Sequence, residues 1–138
     1  MNPPIAPYLT VNGANAAIAF YKTVFGAVET YRHPADDGKR LMHAFLIING
    51  GAVMLCDEFP EMGGPPAPTQ EKPAPVAISV ALSTPAEVDS TFRRAVEAGA
   101  QGAVEPEDMF WGDRFAIVVD PFGHRWMLNA PLPNKQKT

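Results

Sequence analysis

The strongest constraint on this chain is that its hydrophobic pattern passes through the same five elements twice. In the first pass Leu9 and Val11 alternate along a short strand that Asn12-Gly13 closes. Ala14, Ile18, Tyr21 and Phe25 then recur at helical spacing until Gly26, which stops a helix cheaply because it accepts positive φ. Strands are predicted at about Val28–His33, Leu41–Ile48 and Gly51–Cys56, separated by the turns Asp36-Asp37-Gly38 and Asn49-Gly50. Asn-Gly is the strongest two-residue hairpin signal, since both central positions need positive φ.

The second pass opens with a strand at Val76–Leu82. Thr84-Pro85-Ala86-Glu87 follows as a capping box with proline at the first helical position, and Val88, Phe92, Ala95 and Val96 share one helix face until Gly99. Short strands are predicted around Ala103–Val104, Arg114–Val119 and Arg125–Asn129, the last two joined by Asp120-Pro121-Phe122-Gly123. Val53-Met54-Leu55-Cys56 echoes Trp126-Met127-Leu128-Asn129. Each pass therefore reads β-α-β-β-β, too long for a solenoid unit, and its presence twice predicts a pseudo-twofold α+β domain.

Between the passes, residues 59–75 hold six of the fifteen prolines together with Gly63-Gly64 and show no hydrophobic period, so they read as a linker. The expected organisation is one domain over 1–138: repeat one at about 5–58, the linker at 59–75, repeat two at about 76–130 and a frayed tail at 131–138. With 46% hydrophobic residues the chain can build a core without disulfides or metals. Cys56 is the only cysteine, and MNPPIAP has neither a basic nor an apolar signal region, so a cytoplasmic location is expected. No apolar run approaches the roughly 20 residues that span a bilayer. A net charge of −4 without a basic block, Lys135 and Lys137 apart, removes nucleic acid and membranes as expected partners.

The doubled order, the string Phe20-Tyr21-Lys22-Thr23-Val24-Phe25-Gly26-Ala27 and the closing Asp120-Pro121-Phe122-Gly123-His124-Arg125-Trp126 together resemble the vicinal oxygen chelate superfamily, the glyoxalase/bleomycin-resistance/dioxygenase fold. Cys56-Asp57-Glu58-Phe59-Pro60-Glu61 and Phe110-Trp111-Gly112-Asp113-Arg114 are similar to its PhnB-like branch, and the likeness covers about residues 5 to 130. The resemblance implies two βαβββ repeats forming a curved mixed sheet with helices on its outer face. It also implies a homodimer with small-molecule pockets near or across the interface. Some PhnB-like proteins carry a methyltransferase name, but this chain has no Gly-rich strand-turn-helix loop to support that activity.

Metal-dependent members of the superfamily place ligands on the first and last strands of each half. Carried over, those positions fall on Ala6, Met54, Ala77 and Met127. None is a donor for a hard divalent ion, and thioether sulfur suits soft Cu(I), so neither a metal nor another cofactor is expected. His33, His43 and His124, with Cys56, Asp57 and Glu58, are what remains for a nonstandard site; His33 and His124 flank turns and are expected at the surface.

Strand alternation sorts the candidate pocket residues. If Ile48 and Gly51 close the Asn49-Gly50 turn, Phe45 faces Met54, Ile47 faces Ala52 and His43 faces Cys56, and this row looks into the cavity together with Tyr8 and Thr10. The opposite row, Ala44, Leu46, Ile48, Val53 and Leu55, is uniformly apolar and belongs beneath the helix. In the second half, a four-residue loop Asp120–Gly123 would pair Met127 with Ala116 and Asn129 with Arg114, sending Phe115, Ile117, Trp126 and Leu128 to the core. Ser79 would line the cavity between Ala77 and Ala81.

The expected cavity is apolar with a few polar points, the usual composition of a small-ligand pocket. Arg114 could bind an anion through its fork, or pair with Asp113 or Glu58. His43 could orient a ligand or act as a general base. Cys56 is open between a nucleophile and an inert hydrophobe, and Trp111 between a lid and a plug. The leading reading is a binder that sequesters a partly apolar ligand. The alternative is an enzyme of isomerase, lyase or dioxygenase type, working through a nonstandard metal site or His43 acid/base chemistry.

Overall fold

In the computed structural model, which describes residues 2–133, each repeat builds its own sheet around its own helix. Repeat one contains β1 (Tyr8–Val11), α1 (Ala14–Phe25), β2 (Val28–Pro34), β3 (Leu41–Ile48) and β4 (Gly51–Asp57). Repeat two contains β5 (Ala77–Ala81), α2 (Pro85–Glu97), β6 (Gln101–Asp108), β7 (Asp113–Val119) and β8 (Arg125–Pro131). The expected curved mixed sheet is thus two four-stranded sheets, ordered β1-β4-β3-β2 and β5-β8-β7-β6, with the first and last strand of each repeat parallel. The tail expected from 131 starts inside β8, and Lys135 and Lys137 lie outside the described residues.

Local chemistry accounts for most element ends. Asn49 (φ 51°) and Gly50 (φ 82°) both adopt the left-handed region and close the β3–β4 hairpin in the register Ile48 to Gly51. Thr84 accepts from the Glu87 backbone N–H at 3.3 Å, and Pro85 follows as the first residue of α2. Helix α1 has no capping side chain of its own. Asp57, buried at the end of β4, supplies one from the sheet: its Oδ1 accepts from Gly13 N at 2.9 Å and Ala14 N at 2.8 Å, while Oδ2 accepts from Leu41 N at 2.8 Å. One carboxylate thereby pins the start of α1 and the start of β3 to the end of β4.

The helix-facing rows of both sheets meet in one core. Tyr21 and Phe25 of α1 pack on Trp126 of β8 at ring separations of 5.2 and 4.6 Å, and Arg94 of α2 donates to the Val24 carbonyl at 2.9 Å. At the centre Asp120, fully buried, accepts from Tyr21 Oη at 2.6 Å and Trp126 Nε1 at 2.9 Å. The Tyr21 phenol is held well above its usual ionisation range, first by burial and then by the Asp120 charge.

Residues 59–75 contain one 3₁₀ turn, Pro60–Met62, and are otherwise irregular, yet they are tied down along their length. Arg40 stacks over Phe59 and reaches Glu61 and the Glu58 carbonyl, Glu58 accepts from Ala67 N, and Ala74 N donates to Gly123 O at 2.8 Å. Four places depart from the expectations. β6 runs eight residues where two were predicted, His124 is buried, the β7–β8 register differs, and Arg114 faces a helix. His124 points Nε2 at the Thr10 carbonyl, 2.9 Å away, so it joins the two repeats instead of lying at the surface.

Candidate functional site

Because each sheet spends one face on the core, its other face is left open, and registers define that face row by row. Across β1, β4, β3 and β2 the partners are Tyr8, Met54, Phe45 and Tyr31. Two residues along, Thr10 pairs with Cys56 and His33 with His43, making a second, more polar row. Burial agrees: Leu9, Leu55 and Ala44 in the intervening row are buried, whereas Tyr8 is 50% and Tyr31 53% exposed. A cavity of about 520 Å³ lies on this face, lined by Asn2, Thr30, Tyr31, His43, Phe45, Ile47 and Met54.

Tyr8 and His43 form the chief polar contact there. The phenol oxygen lies 2.8 Å from His43 Nδ1, and the tyrosine rings of β1 and β2 flank the imidazole at 5.6 and 5.8 Å. With Nδ1 engaged, Nε2 is the nitrogen left to meet a ligand. The Tyr8 phenol is shifted upward by partial burial and by Cys56 beside it, so it stays a neutral hydrogen-bonding group. Cys56 is shifted upward too, by burial above all, with Asp57 adding to the effect and hydrogen bonds from Thr10 and Tyr8 opposing it. Such a thiol is the reverse of an activated nucleophile. Iodoacetamide should alkylate Cys56 more slowly than free cysteine at about pH 8, the difference shrinking as the pH rises. A faster rate would reveal thiolate stabilisation that this geometry does not supply.

The second sheet presents an analogous face with a corrected register. Val119 pairs with Arg125, so the loop has five residues, Asp120 to His124, rather than four. Asp120 Oδ1 accepts from the N–H groups of both Phe122 and His124, which draws His124 into the turn. The consequence is a one-residue slip that exchanges the faces of β7. Phe115 and Ile117 stand beside Asn129 and Met127 on the open face, while Ala116 and Val118 join Trp126 and Leu128 in the core. Arg114 moves to the helix side, where it binds Asp89 of α2 at 2.9 Å and Asp108 of β6 at 2.8 Å.

Of the remaining candidates, Ser79 lies in a cleft of about 330 Å³ between the β3–β4 turn and β5. Asn129 points its amide at Ser79 Oγ and at the Val80 and Met127 carbonyls, and Trp111 rests edge-on against Phe115 at 5.5 Å. The structure therefore gathers His43, Phe45 and Met54 around one cavity, with Tyr8, Thr10 and Cys56 on the same face. Ser79, Trp111, Met127 and Asn129 belong to the other repeat. Sequence reasoning missed Tyr31 and Thr30, because β2 joins β3 through two register shifts that the turn at Asp36-Asp37-Gly38 does not announce.

Residues 4–128 match the Glyoxalase/Bleomycin resistance protein/Dioxygenase superfamily. The chain belongs to this superfamily. An uncharacterized protein of Mycobacterium bovis is 46% identical over 134 residues, covering 96% of this chain and 86% of that protein. The crystal structure of a Pseudomonas aeruginosa protein is similar with a TM-score of 0.77 at 27% identity, over 95% of this chain and 99% of that one. A PhnB protein from Bacillus cereus, described as a putative 3-demethylubiquinone-9 3-methyltransferase, shares the fold with a TM-score of 0.71 at 19% identity, over 93% and 99% of the two chains.

Within this superfamily the metal question comes down to donor chemistry. The parallel pairs Tyr8 with Met54 and Ser79 with Met127 make Met54 and Met127 equivalent across the repeats, and likewise Ala6 and Ala77 two residues before. Methyl groups and thioethers cannot replace imidazole and carboxylate around a hard divalent ion. Among the described residues, no three His, Cys, Asp or Glu side chains converge as a substitute. The residues present do not fit the metal centre of the metal-dependent members.

Proposed function

We propose that this protein binds a small, partly apolar molecule on the open face of its first sheet, acting by sequestration and without a metal. The observation that carries this reading is the cavity of about 520 Å³ lined by Tyr31, Phe45, Ile47 and Met54, with His43 as its orienting polar group. Apolar walls supply area and one or two polar groups fix orientation, which is how small-ligand pockets work.

The pocket draws its lining from repeat one and from Asn2 just before it, and is open on its far side. A homodimer that sets the open face of the partner's second sheet over it would bury Tyr8 and Tyr31, as well as Phe110, which is 92% exposed. A cytoplasmic location, read from the single unpaired Cys56, is part of the same proposal.

Native mass spectrometry of freshly purified protein tests these points together. The expected spectrum shows a dimer without stoichiometric metal and with a substoichiometric organic adduct that collisional activation removes. Stoichiometric zinc, nickel, iron or manganese would overturn the metal-free reading, and a monomer across micromolar concentrations would overturn the shared pocket. A second reading, acid/base catalysis by His43, is favoured by the Tyr8 contact that fixes its ring. It requires His43→Ala to abolish turnover of whatever substrate the adduct reveals.

A further inference from the structure

The charges of the first sheet carry information about the ligand. Its four strands contain only three charged side chains besides the imidazoles, Glu29, Arg32 and Asp57. Glu29 is held by Arg32 and by Lys22 of α1, and Arg32 also reaches Asn15 of α1. Asp57 is consumed by three backbone N–H groups, two at the start of α1 and one at the start of β3. Nearby Arg40 is bound by Asp37 and Glu61 in the loops. Every one of these charges is thus compensated on the helix side or in the turns, and the cavity lining includes no Asp, Glu, Lys or Arg.

A ligand carboxylate or phosphonate entering this face would lose water without gaining a counter-charge, a cost that an uncharged ligand of the same shape avoids. The face that the proposed dimer sets opposite changes little. In the rows Ser79, Met127, Ile117 and Val104, then Ala81, Asn129, Phe115 and Glu107, the one charge stands on the outermost strand, and Arg125, in the row of Ala77 and Val119 at the sheet's end, turns its Nε to the Ala74 carbonyl.

Shape narrows the class further. Tyr8 and Tyr31 stand on the two edge strands, about 14 Å apart at three strand spacings, and lean toward His43 over a floor of Phe45 and Met54. Two rings facing inward over an aromatic and a thioether floor favour a flat π-surface, which gains ring and sulfur contacts that a saturated ring cannot make. His43 Nε2 offers one hydrogen bond at the centre.

From the compensated charges and the flanking rings together, we propose that this pocket selects uncharged, planar aromatic molecules bearing a single amide- or hydroxyl-type polar group, and discriminates against anions of the same size. This rests on the small-molecule reading above and names its ligand class.

Three probes of similar size separate the elements: indole-3-acetamide, which is neutral and planar; indole-3-acetate, planar and anionic; and cyclohexylacetamide, neutral and saturated. Binding to the full-length protein is followed at one fixed pH for all three probes through the Met54 methyl and His43 ring resonances in NMR titrations. The amide should bind about tenfold more tightly than the acetate and about fivefold more tightly than the cyclohexyl compound. Tyr31→Leu, at a half-exposed position on an edge strand, should lower the affinity for indole-3-acetamide more than that for cyclohexylacetamide, so that most of the preference for the flat ring is lost. Equal or tighter binding of the acetate at Met54 and His43 would overturn the charge selection, and equal binding of the saturated amide would overturn the planar one, the small-molecule reading surviving both. Failure of all three probes to move either residue's resonances would overturn the ligand class and the site together.

Discussion

Asp120→Asn should destabilise the protein by about 3 kcal/mol, a large fraction of what holds a domain of this size together. The substitution conserves volume, so the loss comes from hydrogen bonding alone. Asp120 accepts four donors: Tyr21 Oη at 2.6 Å, Phe122 N at 2.8 Å, Trp126 Nε1 at 2.9 Å and His124 N at 3.0 Å. An amide has one accepting atom instead of two. If its oxygen keeps the two backbone N–H groups, its NH₂ is driven against the indole N–H, which can only donate. Urea unfolding followed by tryptophan fluorescence measures the effect, and Tyr21→Phe, which removes one donor and leaves three satisfied, should cost about 1 kcal/mol. An Asn variant within that smaller cost would show that the buried carboxylate is dispensable.

The same contact has a pH signature. The unfolded chain releases a tyrosine proton near pH 10 and the folded chain resists doing so, because burial and the Asp120 charge raise the Tyr21 phenol. Its contribution to stability is complete below about pH 10 and declines as the pH rises above that value, and Tyr21→Phe should reduce the alkaline loss of stability to the smaller share that Tyr8 and Cys56 supply.

Most of the fold is legible from local chemistry, since left-handed glycines, the Asn49-Gly50 hairpin and the Thr84 cap each act within a few residues. What escaped depends on distant partners. β6 contains Gly102, Pro106 and three acidic residues, a poor strand by propensity, and exists because β7 offers a complete ladder on one side while bulges absorb the misfits. Helix α1 begins with an uncapped glycine whose cap is Asp57, 43 residues away from Ala14.

The candidate site divides along the same line. In repeat one the two-residue turn fixes register, so the alternation that put Phe45 opposite Met54 and Tyr8 on the open face follows from sequence. In repeat two the turn length depends on a side chain: Asp120 recruits His124 as a fifth loop residue, and that single residue exchanges Arg114 and Ala116 for Phe115 and Ile117 on the open face. No hydrophobic count could arbitrate, because both rows of β7 are rich in apolar residues.

Gly123→Ala should be the other severe substitution, costing about 3 kcal/mol from backbone strain and overlap together. Gly123 has φ +91°, and a Cβ there would sit 2.5 Å from Thr69 N and 2.6 Å from the Pro68 carbonyl carbon. These are backbone atoms of the Pro-rich segment, which cannot rotate aside as a side chain would. Relief requires the segment to lift, breaking the Ala74 N to Gly123 O bond and the Arg125 hold on the Ala74 carbonyl. Gly38→Ala is the matched control: φ is +69° and nothing lies within 4 Å of the added carbon, so only strain of about 1 kcal/mol is expected. Thermal or urea unfolding gives the stability difference between the two, and cleavage by a glutamate-specific protease after Glu71 reports whether the segment has lifted. Equal costs for the two substitutions, with Glu71 equally protected, would mean that residues 68 and 69 do not press on the turn, and that the 59–75 segment is the loose linker its composition suggests.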